Sequence, residues 1–116
     1  MQRDAGAFLW DVLQAADAIL RFIAGLNAES YAAADVVHSA VERKFEIIGE
    51  ALAQLSKLDP VLAARVPDLR EIIAFRNVLI HSYAVVEHER VWRIAEGSPP
   101  VPRTTVAVLL DELKPG

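Results

Sequence analysis

Apolar residues recur at intervals of three and four along almost the whole chain, and this period is the feature that most constrains the fold. Such series occupy residues 4–26, 35–57, 69–81 and 104–113. No stretch of more than a few residues alternates between apolar and polar side chains, as a half-buried strand would. The pattern therefore predicts an all-α fold, an antiparallel bundle of four to six helices.

Shorter helices and breaks complete the predicted organisation. The shorter helices are predicted at residues 61–65 and 87–95, and the breaks at residues 27–30, 82–86 and 97–100. Asp35 and Asp59 are predicted as N-terminal helix caps. Gly49 interrupts a helix at a cost of about 1 kcal/mol relative to alanine, which predicts that another helix passes close to it.

Composition limits the class of protein. Of the 116 residues, 53% are hydrophobic and 24% are charged, so residues 1–116 are expected to fold as one domain. The absence of cysteine excludes disulfides and a thiol nucleophile. No signal-peptide pattern or bilayer-length apolar run is found, so we expect a cytoplasmic protein without a membrane segment.

Charge is distributed unevenly. The formal net charge of −4 gives no global attraction for nucleic acid. Residues 65–93, however, carry five arginines against four acidic residues. The planar guanidinium suits phosphate, so this region is the candidate for a local phosphate site. A solvated helix surface explains the same arginines equally well.

One helix carries an unusual polar cluster, Arg76-Asn77-x3-His81-x-Tyr83. At about 100° per residue, Asn77 and His81 share a face, whereas Arg76 and His81 lie about 140° apart. These groups can converge only if the helix ends near His81, if a partner chain supplies a second copy of the motif, or both. The structural alternatives are that His81 only interacts favourably with the helix dipole and that Tyr83 only packs against the end of the bundle.

Other chemistries find less support in the sequence. His38 and Glu42 are spaced i, i+4 and could face one ion, but no third ligand lies at a matching spacing, so no metal site is predicted. No serine lies on a glycine-flanked sharp turn, as a serine nucleophile would require. Glu46 and Glu50 are assigned to solvent or to a dimer cleft rather than to acid–base work.

The polar cluster resembles the signature of the HepT-like branch of HEPN-domain proteins, the toxin partners of minimal nucleotidyltransferase antitoxins. Three further segments resemble that family in order and spacing. They are residues 41–51, Pro67 before the motif helix, and the sequence Val91-Trp92-Arg93-Ile94. The resemblance covers residues 4–113. Asp68 stands where the family often has tryptophan, Ser82 where aspartate is frequent, and residues 97–102 replace a commoner Leu-Pro linker.

The resemblance implies a homodimer with two facing motifs and a metal-independent endoribonuclease activity that needs no cofactor. Arg76, His81 and Asn77 are then the catalytic residues, and Arg70 and Ser82 contact the RNA. The protein would be the toxin of a type VII-like toxin–antitoxin pair, neutralised when the nucleotidyltransferase attaches AMP to Tyr83. The alternative is a non-catalytic helical subunit that docks a nucleotidyltransferase and contributes to nucleotide or phosphate binding.

The chemistry of RNA is compatible with such a reduced site. The 2′-OH of RNA is the nucleophile, so the protein need only move protons and stabilise charge on phosphorus. The imidazole of His81 can act as base or acid, while Arg76 can bind non-bridging oxygens. Asn77 can orient the phosphate or fix the imidazole of His81.

Overall fold

The computed structural model describes residues 4–81, 87–97 and 102–113, and in these ranges the chain is helical and contains no strand. The described residues form seven helices: α1 (Ala5–Ile23), α2 (Ala28–Ala33), α3 (Asp35–Leu58), α4 (Pro60–Ala63), α5 (Leu69–His81), α6 (His88–Glu96) and α7 (Arg103–Glu112). The predicted all-α fold is confirmed. The turn predicted at residues 82–86 and most of the break predicted at residues 97–100 lie outside the described residues.

Side-chain caps explain where two of the helices begin. The Asp4 carboxylate accepts a 2.8 Å hydrogen bond from the Ala7 amide at the start of α1. Asp59 does the same at the start of α4, where its carboxylate accepts from the Leu62 amide at 3.0 Å, as predicted from the sequence. Each cap satisfies an amide that the first helical turn leaves without a backbone partner.

The structure differs from the prediction at residues 27–34. Where a break was predicted, Asn27 and Ser30 form a reciprocal capping box that starts the six-residue helix α2. The predicted cap of α3 was also wrong, because Ala34 occupies the N-cap position without a side-chain bond. Asp35 lies instead in the first turn of α3, where a negative charge interacts favourably with the helix dipole.

The core is built around α1 and α3, which pack along each other. α5 and α4 pack on α3, α7 packs on α1, and α6 contacts α2 and α1. The largest fully buried side chains are Tyr31, Leu9, Ile19, Ile48, Leu52, Leu55, Leu109, Val12, Val41, Val91 and Val106. None of the described helices is sufficiently long and apolar to span a membrane.

Gly49 lets α5 approach α3 closely, which confirms the expectation from the sequence. A Cβ atom at this position would overlap the Arg76 Cβ and would lie 2.6 Å from its Cγ. The obstructing atoms belong to the backbone-proximal part of Arg76, which cannot rotate away. The two helices can therefore meet at this distance only when residue 49 has no side chain.

Replacing Gly49 with alanine should lower the free energy of unfolding by about 1–3 kcal/mol, although alanine is the better helix former, because α5 must move outward. Chemical denaturation followed by circular dichroism measures the change. Gly6→Ala is the control within α1: its added Cβ would make only ordinary contacts, 3.4 Å from Asp4 Oδ1 and 3.9 Å from Leu110 Cδ1, so this variant should be as stable as the wild type or more stable by up to about 1 kcal/mol. Equal stability of the Gly49→Ala variant and the wild type would contradict the close contact.

Candidate active site on α5

Arg76 projects from α5 toward α3 and is held there by an ion pair. Its side chain is only 16% exposed, and its Nη1 lies 3.3 Å from Oε2 of Glu50, the residue that follows Gly49. Its buried Nε has no hydrogen-bond partner in the part of the chain that the structure describes. Glu50 is 54% exposed and also accepts a hydrogen bond from Gln54. The guanidinium is thus positioned and keeps donors for a phosphate oxygen.

A different face of α5 carries the other polar residues of the site. Arg70, Asn77 and His81 are all exposed. Spacings of seven and four residues place these three side chains on one face of the helix, which we term the α5 polar strip. The predicted pairing of Asn77 and His81 on one face is confirmed. His81 is the last residue of α5, where a positive charge is favoured by the helix dipole.

The two faces do not meet within one chain. Arg76 and His81 are five residues apart and so point about 140° from each other around α5, as the sequence predicted. Ser82 and Tyr83, the remaining predicted site residues, lie outside the described residues. In a single copy of the chain, Arg76 and His81 therefore lie on different sides of α5.

α5 is also incompletely covered. Among the described elements it packs principally against α3, and Phe75, 9% exposed, is its one buried residue. Val78 and Ile80 are each 42% exposed beside the polar strip. This part of α5 therefore presents two apolar side chains next to exposed polar groups.

A groove between α1 and α3 lies next to the Arg76–Glu50 pair. It has a volume of about 200 Å³ and is lined by Arg43, Glu46 and Glu50 of α3 and by Phe8 of α1. Glu46 and Glu50 thus line a surface groove. The sequence predicted that they face solvent or a dimer cleft. The ion pair between Glu50 and Arg76 was not predicted, because it depends on the register in which α5 packs on α3.

The start of α5 shows why one departure from the family pattern is tolerated. Asp68 has a φ of 60°, the left-handed conformation, and its carbonyl accepts from the Ile72 amide. Aspartate adopts this conformation more readily than bulky residues do. The backbone before the motif helix therefore suits the residue that this sequence carries.

A second cluster of polar side chains was missed by the sequence analysis. His38 and Glu42 of α3 are joined by His88, the first residue of α6, and one potential ligand atom from each lies within 4.8 Å of the others. No spacing rule could reveal His88, because it is brought to α3 only by the packing of α6. We term these three residues the His–Glu–His cluster.

Comparison with known proteins places this geometry in a family. The model of the family described as "Ribonuclease HepT-like" matches residues 12–105. The protein named "Putative RNase MJ1380" of Methanocaldococcus jannaschii is 29% identical over 93% of this chain and 98% of its own length. "Putative RNase MJ1216" of the same organism is 33% identical over 82% of this chain and 78% of its own.

A bacterial protein shows the same similarity. "Putative RNase TTE0752" of Caldanaerobacter subterraneus subsp. tengcongensis is 32% identical over 73% of this chain and 75% of its own length. No solved structure is significantly similar to the chain. The family match spans α3 and the motif helix α5, which hold the candidate site. With its all-helical bundle and its Arg76/His81 motif, the chain belongs to the family of HepT-like ribonucleases.

Proposed function

We propose that the protein is a metal-independent endoribonuclease whose reaction is carried by Arg76, His81 and Asn77. The family supports ribonuclease activity. The choice of these three residues is supported by one observation. Glu50 holds the guanidinium of Arg76 by an ion pair, and the same helix exposes Asn77 and His81. These groups supply a positive charge that binds phosphate and an imidazole that carries protons, and together they suffice for the cleavage of RNA.

The reaction balances without a further reagent. The 2′ oxygen loses its proton and attacks phosphorus, the bond to the 5′ oxygen breaks, and the leaving oxygen takes up a proton. The products are a 2′,3′-cyclic phosphate and a 5′-hydroxyl. His81 serves as a proton carrier, Arg76 stabilises the added negative charge on phosphorus, and Asn77 orients the phosphate or the imidazole.

The site is completed by a second copy of the chain. Arg76 and His81 diverge within one chain, and a net charge of −4 gives no overall attraction for RNA, so binding depends on two motifs that combine their basic groups. Val78 and Ile80 offer apolar area beside the polar strip for such a contact. In the proposed dimer, Arg76 of one protomer acts with His81 of its partner.

Removal of either principal group should abolish cleavage. Arg76→Ala and His81→Ala are each expected to lower the rate at least about 100-fold, the usual effect of losing a general acid–base group or a charge-stabilising donor. The assay uses tag-free protein in EDTA with a labelled RNA, and the ends of the products are identified as cyclic phosphate and 5′-hydroxyl.

Arg21→Ala is the matched control, because Arg21 is an exposed arginine of α1 and lies outside the site. It should retain wild-type cleavage. Full activity of the Arg76→Ala variant would contradict the role of the guanidinium. A folded wild-type protein that binds a nucleotidyltransferase but cleaves no RNA would instead establish the non-catalytic alternative.

The ion pair with Glu50 implies competition between this carboxylate and the RNA phosphate. An incoming phosphate must share or replace the contact of Glu50 with Arg76, and the partly exposed pair contributes about 0.2–1 kcal/mol. Glu50 therefore weakens RNA binding while it orients the guanidinium.

Glu50→Gln should tighten the binding of a 2′-deoxy, uncleavable substrate analogue by about two- to fivefold, because the guanidinium loses its competing partner. Fluorescence anisotropy measures the affinity. Glu46→Gln removes the same charge one helical turn away and serves as the control. An equal gain in both variants would show that overall charge, and not the ion pair, controls the affinity.

Regulation by a nucleotidyltransferase antitoxin is the second part of the proposal. The phenol oxygen of Tyr83 attacks the α-phosphorus of ATP, its proton is released, and pyrophosphate leaves. Tyr83 follows two residues after His81, at whose position α5 ends. An attached AMP would add bulk and negative charge beside the groups that bind the RNA phosphate.

Mass spectrometry after co-expression with the cognate nucleotidyltransferase tests this step. The wild type should carry AMP-sized additions, and Tyr83→Phe should carry none yet still cleave RNA. Tyr31→Phe is the matched control, since Tyr31 is the other tyrosine and is fully buried, so its replacement should leave the additions in place. Additions that persist in the Tyr83→Phe variant would contradict the proposed acceptor.

A further inference from the structure

Two of the three histidines of the chain meet a glutamate in the His–Glu–His cluster. His38 and Glu42 lie one helical turn apart on α3, and His88 begins α6. Nδ1 of His38 lies 3.7 Å from Glu42 Oε2, and Nδ1 of His88 lies 3.9 Å from the same oxygen. Three groups that can donate electron pairs thus converge from two helices.

The converging atoms do not satisfy one another. Nδ1 of His38 and Nδ1 of His88 are both buried, and neither has a hydrogen-bond partner among the described residues. Their distances to Glu42 exceed the range of a hydrogen bond. A buried polar atom without a partner is costly, so the structure points to a ligand that would satisfy both nitrogens and the carboxylate together.

Asp35 fixes which nitrogen of His38 is available. Its Oδ1 lies 3.2 Å from His38 Nε2. An ionised carboxylate only accepts hydrogen bonds, so the proton of a neutral His38 is placed on Nε2, and Nδ1 keeps its lone pair. A carboxylate behind an imidazole in this way is the arrangement that orients histidine ligands of metal ions.

Tyr31 closes the cluster on the side of α2. Its fully buried ring contacts the imidazoles of His38 and His88 edge-on, with centroids 6.1 and 6.5 Å away. Burial, together with the charge of Glu42, raises the pKa of the Tyr31 phenol. Among the described residues its buried hydroxyl has no hydrogen-bond partner, so it is available to the carboxylate or to a bound water.

We propose that His38, Glu42 and His88 bind one divalent transition-metal cation, with zinc as the expected ion and water completing its coordination. Two imidazoles and one carboxylate suit zinc, whereas magnesium and calcium prefer oxygen ligands. Bonds of about 2.0–2.2 Å place tetrahedral ligands about 3.3–3.6 Å apart, close to the distances observed. The two imidazoles now stack, with centroids 3.9 Å apart and planes inclined by 29°, so binding requires the ring of His88, which Asp35 does not hold, to turn about its Cβ–Cγ bond.

The proposed ion has a structural role. It would join the first residue of α6 to α3 and so fix the helix that follows the motif segment. Glu42 and Gly49 are seven residues apart, which places them on one face of α3 about 10 Å from each other along its axis. The metal is therefore separate from Arg76 and takes no part in the proposed cleavage, so the two proposals are tested independently.

Calorimetric titration of tag-free, EDTA-treated full-length protein with zinc tests the site. We expect one ion per chain, no heat of binding with magnesium, and a rise in the melting temperature of about 10 °C at a hundredfold excess over the dissociation constant. Glu42→Gln and His88→Ala should each weaken binding at least tenfold. His81→Ala, which removes the remaining histidine, should bind zinc as the wild type does.

Paramagnetic cobalt locates the ion without any substitution. In the wild-type protein, the imidazole resonances of His38 and His88 should shift strongly, and those of His81 should not. Absence of zinc binding, binding that survives in the Glu42→Gln and His88→Ala variants, or cobalt shifts confined to His81 would each overturn the proposal.

Discussion

The contact between Gly49 of α3 and Arg76 of α5 is the constraint on which the site depends. Because residue 49 lacks a side chain, the stem of Arg76 lies directly against α3. That approach brings its guanidinium to Glu50, the next residue, and leaves it only 16% exposed. The same register turns Asn77 and His81 outward. One missing Cβ thus sets the direction of the principal charged groups.

The long helices and the motif face could be predicted from the sequence, because their apolar period extends over many turns. α5 begins and ends at the predicted residues 69 and 81. α2 was missed because six residues carry too little periodicity, and its stability comes from the reciprocal bonds of Asn27 and Ser30. Asp35 was misassigned because an acidic residue is favourable both as a cap and in the first turn.

Contacts between helices lay beyond prediction. Spacing along a helix shows that His38 and Glu42 share a face, but only the packing of α6 brings His88 to them. The pair formed by Arg76 and Glu50 likewise requires the register of α5 on α3. These contacts form two polar clusters along α3: the pair of Arg76 and Glu50, proposed to act in RNA cleavage, and the His–Glu–His cluster, proposed to bind a structural ion.

The central claim is that Arg76 and His81 act together across a dimer, and complementation measures it most directly. Arg76→Ala and His81→Ala proteins, each inactive alone, are unfolded together, refolded as a mixture and assayed on RNA. Random pairing should restore about one quarter of the wild-type activity, because half of the dimers are mixed and each holds one intact site. Mixed dimers that form, as shown by native mass spectrometry, and yet cleave no RNA would contradict the account.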